Sequence, residues 1–175
     1  ARMQRLFDRL PPGPLVIVGT DIPKITPALV AQAFRRLGHA DAVLAPAGDG
    51  GYWLVGLRRR PARIAPFADV RWSSPQALGD TLANLAGKRV APAATRADVA
   101  AGESAPSRLE YVQALLRKGD ENLLARLQTK FRLKCFQFSR RDDIDVVLSG
   151  ENETLDAARL AGSLTPAGQV TNLAA

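Results

Sequence analysis

At 175 residues, 46% of them apolar and 23% charged, the chain is long enough for one domain with a substantial core and too short to assume two. No apolar run approaches the roughly 18 to 20 residues that a bilayer-spanning helix needs, and Ala1 to Leu10 alternates Arg with apolar residues instead of forming the apolar block of a signal peptide. A single cysteine, Cys135, excludes an internal disulfide and fits a reducing compartment, so the expected location is cytoplasmic with no membrane partner. The formal charge of +7 sits in residues 1–100, which hold 14 Lys or Arg against 7 Asp and no Glu; residues 101–175 hold 10 of each sign. A basic half attracts either nucleic acid or the diphosphate of a nucleotide substrate.

In chain order, Met3, Leu6, Phe7 and Leu10 keep helical spacing, and Pro11-Pro12-Gly13-Pro14 ends that helix. Leu15-Val16-Ile17-Val18 is a short apolar run bounded by Pro and Gly, the pattern of a strand buried in a parallel or mixed sheet. Thr26 before Pro27 gives an N-cap and first-turn proline for a helix over Ala28 to Leu37, stopped by Gly38. Ala42 to Ala45 and Tyr52 to Leu57 read as the next strands, so that the first strand, helix and second strand make a βαβ unit. Ser73-Ser74-Pro75 predicts the capped start of a helix running to about Ala86, and Arg89-Val90-Ala91 a further short strand. Beyond residue 100 the spacing predicts helices over Ser107 to Arg117, Glu121 to Leu133 and Glu153 to Ala161, with strands at Lys134 to Phe138 and Ile144 to Leu148.

Two turns carry the chemistry. Gly19-Thr20-Asp21-Ile22-Pro23 follows the first strand and Pro46-Ala47-Gly48-Asp49-Gly50-Gly51 follows the second, where α/β sheets hold their ligands. A carboxylate such as Asp21, held by a tight turn, can coordinate a hard divalent cation that also binds a diphosphate. Gly50 and Gly51 permit close backbone approach, Asp49 can accept from a sugar hydroxyl or act as a base, and Tyr52 or Trp53 can supply an apolar platform. The competing reading of Asp49-Gly50 is an ordinary hairpin turn. His39, alone beyond its helix, suits capping or solvation better than a site, and Arg58-Arg59-Arg60 is either a solvated loop or a phosphate contact.

These turns, followed by Tyr52-Trp53-Leu54-Val55-Gly56-Leu57, then Val70-Arg71-Trp72-Ser73-Ser74-Pro75 and Asp80-Thr81-Leu82, resemble the glycosyltransferase family of the arsenosugar-biosynthesis or selenodomain-associated type. The resemblance covers about residues 1–100 and lies in the ordered combination of motifs. It implies an α/β, three-layer, GT-A-like (nucleotide-diphospho-sugar transferase) mixed sheet, with a partial transferase core over 1–100 and an unassigned α+β extension over 101–175. It implies Asp49 as the catalytic residue, Thr20, Gly50, Gly51, Tyr52, Trp72 and Ser73 as substrate contacts, and Asp21 with Asp98 as ligands of Mg²⁺ or Mn²⁺. The partners would be a nucleotide-sugar donor and a small acceptor.

The sequence departs from the family's pattern at two places. The Pro-Gly-x-x-Lys-Thr-Arg-Leu-like loop that holds nucleotide phosphates is absent and the chain starts at Ala1, which reads as N-terminal truncation; an open sheet edge would then invite pairing with a second copy. Asp98-Val99-Ala100 keeps only the first acid of the family's Asp-Val-Asp. Nucleotidyl transfer on the same fold, a noncatalytic basic binding module and a fragment without activity remain alternatives. Nucleic acid is disfavoured, since no basic stripe interleaved with aromatics occurs.

Overall fold

The structure, a computed structural model, describes residues 2–19, 25–61, 63–94, 113, 123–138, 144–148 and 155–163. The described residues up to 94 fall in one compact unit and those from 113 onward in another.

The first unit is built on a four-stranded mixed sheet. Its elements are α1 (Arg2–Arg9), β1 (Leu15–Val18), α2 (Pro27–Leu37), β2 (Ala42–Pro46), β3 (Tyr52–Leu57), α3 (Ala77–Asn84) and β4 (Val90–Pro92). The strand order is β1-β3-β2-β4. β3 runs antiparallel to both β1 and β2, and β4 parallel to β2. β1 and β2 therefore point the same way, as a βαβ unit requires, but they are not neighbours, because β3 lies between them.

Register explains the layering. Leu15, Leu57, Ala42 and Val90 line up across the strands, as do Ile17, Val55 and Leu44. These residues form one core with Met3 and Phe7 of α1, Leu78 of α3 and Phe67, Trp72 and Leu85 of the flanking loops. The alternate residues, Val16, Gly56 and Val43, lie on the opposite face, which α2 covers. Gly56 has a packing reason: a Cβ there would come within 3.1 Å of Leu37 Cδ1 and 3.2 Å of Val16 Cγ2. With α2 on one face and α1 and α3 on the other, the sheet is the middle of three layers, an α/β architecture as expected.

Local chemistry sets the element ends. The Thr26 hydroxyl accepts from Leu29 N at 3.4 Å and Pro27 occupies the first turn of α2. The helix expected from Ser73-Ser74-Pro75 starts later, at Ala77, and ends at Asn84. Ser73 adopts φ 55, which no helix accommodates, and the Ser74 hydroxyl closes a turn by accepting from Gln76 N at 3.3 Å. The serines thus shape a loop before the helix.

The second unit contains α4 (Leu123–Gln128), β5 (Cys135–Phe138), β6 (Ile144–Leu148) and α5 (Ala157–Ser163), with β5 and β6 antiparallel. Leu124, Leu155 and Leu160 are its buried core. Asp156 caps α5 by accepting from Ala158 N at 2.8 Å and Arg159 N at 3.1 Å. The helix expected over Ser107 to Arg117 lies, apart from Gln113, outside the described residues.

Candidate functional site

β1, β2 and β4 all end at one side of the sheet, where β3 begins. Gly19 is fastened there by its N–H to Trp53 O at 2.8 Å, and the Trp53 indole donates to Ala94 O at 3.0 Å. Trp53 is buried, a linchpin between the ends of β1 and β4 rather than an open platform. Thr20, Asp21 and Asp98 lie outside the described residues. Among the described residues no group of three or more His, Cys, Asp or Glu could hold a metal ion.

Asp49 caps the β2–β3 hairpin. Ala47 N donates to Gly51 O at 3.0 Å, and Asp49 Oδ1 accepts from Gly51 N at 2.9 Å, an Asx turn that orients the carboxylate. Asp49 is exposed, and among the described residues nothing donates to Oδ2. The hairpin and a ligand role are thus compatible: the turn consumes one oxygen and leaves the other without a donor among the described residues.

Gly50 could be no other residue without rearrangement. Its φ is 88, and a Cβ would sit 2.5 Å from both Cα and O of Pro75. Leu78 N donates to Gly50 O at 3.1 Å. The tip of the hairpin is thereby joined to the segment that carries Trp72 and Ser73. Ser73 is exposed and holds the positive φ noted above, while Trp72 is half-buried.

Tyr52 and Trp72 meet edge to face with ring centroids 6.3 Å apart, and Trp72 lies 6.0 Å from Phe67. Thr81 donates to Ala77 O at 2.8 Å, so the Tyr52 hydroxyl is the donor in its 3.4 Å contact with Thr81 Oγ1. Burial pushes the Tyr52 hydroxyl up to about 12. It stays neutral and structural at any physiological pH.

Sequence spacing does not show what four further side chains hold together. Arg71 grips Asp80 through two parallel bonds, Nε to Oδ2 at 2.9 Å and Nη2 to Oδ1 at 2.8 Å, and its backbone N–H adds a third at 2.9 Å. Bonds from the Arg71 guanidinium and then its backbone N–H hold the Asp80 carboxyl down at about 2. Asn84 Nδ2 donates to Pro66 O at 3.0 Å and Ala68 O at 2.6 Å. The available signal was Asp80 and Asn84 four apart on one helix face, although the loop they hold is not legible from that spacing. Arg59, one of the three consecutive arginines, donates to the carbonyls of Gly13 at 2.8 Å, Phe7 at 2.6 Å, Leu10 at 3.1 Å, and Pro11. It caps the end of α1, so that residue of the triplet is structural.

Residues 1–74 match the family described as an uncharacterized protein conserved in bacteria (DUF2064). Among solved structures, the chain is similar to a "putative nucleotide-diphospho-sugar transferase" from Desulfovibrio desulfuricans G20, with 28% identity and a TM-score of 0.49 over 71% of this chain and 52% of that one. The chain thus spans about half the length of that protein. No curated protein matches. No helix among the described residues is long and apolar enough to cross a membrane.

Proposed function

We propose that the chain contributes to a glycosyltransferase site that moves a sugar from a nucleotide-diphospho-sugar to a small acceptor. One observation supports this most. Gly19, the Asp49 turn and the Trp72–Pro75 segment, which carry the sequence resemblance, are joined through Trp53, Gly50 and Pro75 at the strand ends where α/β sheets bind ligands. In this proposal Asp49 accepts from an acceptor or sugar hydroxyl through the oxygen the turn does not use, Gly50 and Gly51 let that ligand approach the backbone, and Ser73 and Trp72 border it. Asp21, with Asp98, would hold Mg²⁺ or Mn²⁺, which offsets charge on a departing diphosphate.

Calorimetric titration of the chain with UDP, GDP, UDP-glucose and GDP-mannose, with and without Mn²⁺, tests the proposal alongside Asp21→Ala and Asp49→Asn. Metal-dependent binding lost in Asp21→Ala, with sugar-specific binding weakened in Asp49→Asn, is the expected result. A folded chain that binds none of these would sink it.

A further inference from the structure

The loop from Pro66 to Pro75 is splinted along one face of α3. Asn84 holds its start through Pro66 O and Ala68 O, and Asp80, one turn earlier on the helix, holds its middle through Arg71. The Ser74 hydroxyl donates to Arg71 O at 2.6 Å, and Ala77 N donates to Ser74 O at 3.2 Å, which ties the loop's end to the helix start. From there Pro75 abuts Gly50, and Leu78 N bonds Gly50 O. Asp80, Arg71, Ser74, Pro75 and Gly50 form one mechanical chain that ends beside Asp49.

We infer that Asp80 is a positioning residue for the Asp49 turn, acting through Arg71 and the Trp72–Pro75 segment. Its relevance to catalysis rests on the transferase reading; the coupling itself does not. An ion pair open to solvent adds little to overall stability. Three bonds converging on one carboxylate do, however, restrict a segment that must keep Ser73 at positive φ and Pro75 against Gly50. The function of the pair is therefore local order at the hairpin tip.

Amide hydrogen exchange followed by NMR on the full chain tests this with Asp80→Asn. The Gly51 and Leu78 amides, which bond Asp49 and Gly50, should exchange about tenfold faster along with Arg71, while Leu44 and Val55 within the sheet stay unchanged. Arg71→Lys retains the charge and the backbone donor and should give a smaller acceleration. Acceleration at Arg71 alone would overturn the inference, and so would equal acceleration at all five amides, which is a global loss of stability. The same Asp80→Asn sample is titrated with Mn²⁺ and UDP-glucose or GDP-mannose, where weakened sugar-specific binding with a melting temperature lowered by no more than about 2 °C is expected, since an exposed ion pair contributes little. If the unsubstituted chain binds no nucleotide sugar, the transferase reading falls and the exchange result still decides the coupling.

Discussion

Replacing Arg59 with alanine removes the only side chain shown donating to the four carbonyls at the end of α1 among the described residues, and the cost can be worked from the geometry. The bonds to Phe7, Leu10 and Gly13 are part-buried, whereas the Pro11 carbonyl is exposed and rehydrates easily. Taking about 1 kcal/mol for each part-buried bond, below the value for a fully buried charged donor, gives a loss of about 3 kcal/mol. Arg59 also sits at φ 56, where a residue with a Cβ is disfavoured against glycine by about 1 kcal/mol. Arg59→Gly should therefore lose about 2 kcal/mol, one less than Arg59→Ala. In urea unfolding followed by tryptophan fluorescence, with a slope of about 1.5 kcal/mol per molar, the alanine variant's midpoint should fall by about 2 M. A loss under about 1 kcal/mol for alanine would show that solvent replaces the guanidinium at the helix end. A glycine variant no more stable than the alanine one would refute the strain argument.

Other perturbations separate packing from ionisation. Gly50→Ala should destabilise by about 2 to 4 kcal/mol in thermal unfolding, since strain at positive φ adds to a clash with the Pro75 backbone. Gly51→Ala should cost less than about 1 kcal/mol, because its Cβ would meet the movable Asp49 Oδ1 at 3.2 Å. Tyr52 ionises near 10 in the unfolded chain and about 12 in the folded one, so the unfolded state loses its proton first and stability falls as pH rises across that window. The two-unit difference amounts to at most about 3 kcal/mol, and Tyr52→Phe should lack that component in urea titrations repeated across alkaline pH. Asp80 runs the other way: its depressed folded value means that its contribution is present above about 4 and lost as pH falls toward about 2, a dependence that Asp80→Asn should abolish. Burial pushes the Cys135 thiol up to about 11. Alkylation at neutral pH, read by mass spectrometry, should be about a hundredfold slower than in the urea-unfolded chain, because the thiolate is the nucleophile.

The strands and helices of the first unit were legible because their signals are local. Leu15 to Val18, Ala42 to Ala45 and Tyr52 to Leu57 are short apolar runs punctuated by Pro and Gly, and Thr26-Pro27 is a complete start signal within two residues. The Asp49-Gly50 turn was legible as a turn for the same reason, since only glycine suits φ 88. The start of α3 was misplaced because Ser74 serves a turn as readily as a helix cap, and the contact of Pro75 with Gly50, 25 positions away, selects the turn.

Sequence alone thus determined where the chain of the first unit bends, where it runs straight and that Asp49 stands in the turn after β2. It did so because dihedral preference and hydrophobic period act over a few residues. Only the tertiary structure decided that β3 enters between β1 and β2, that Arg59 closes a helix about 50 residues before it, and that Asp80 and Asn84 hold a loop rather than solvent. Each of these is a bond between segments far apart in the chain. Such a bond depends on which faces the sheet buries and which carbonyls the folded ends leave unpaired, and no local pattern encodes either.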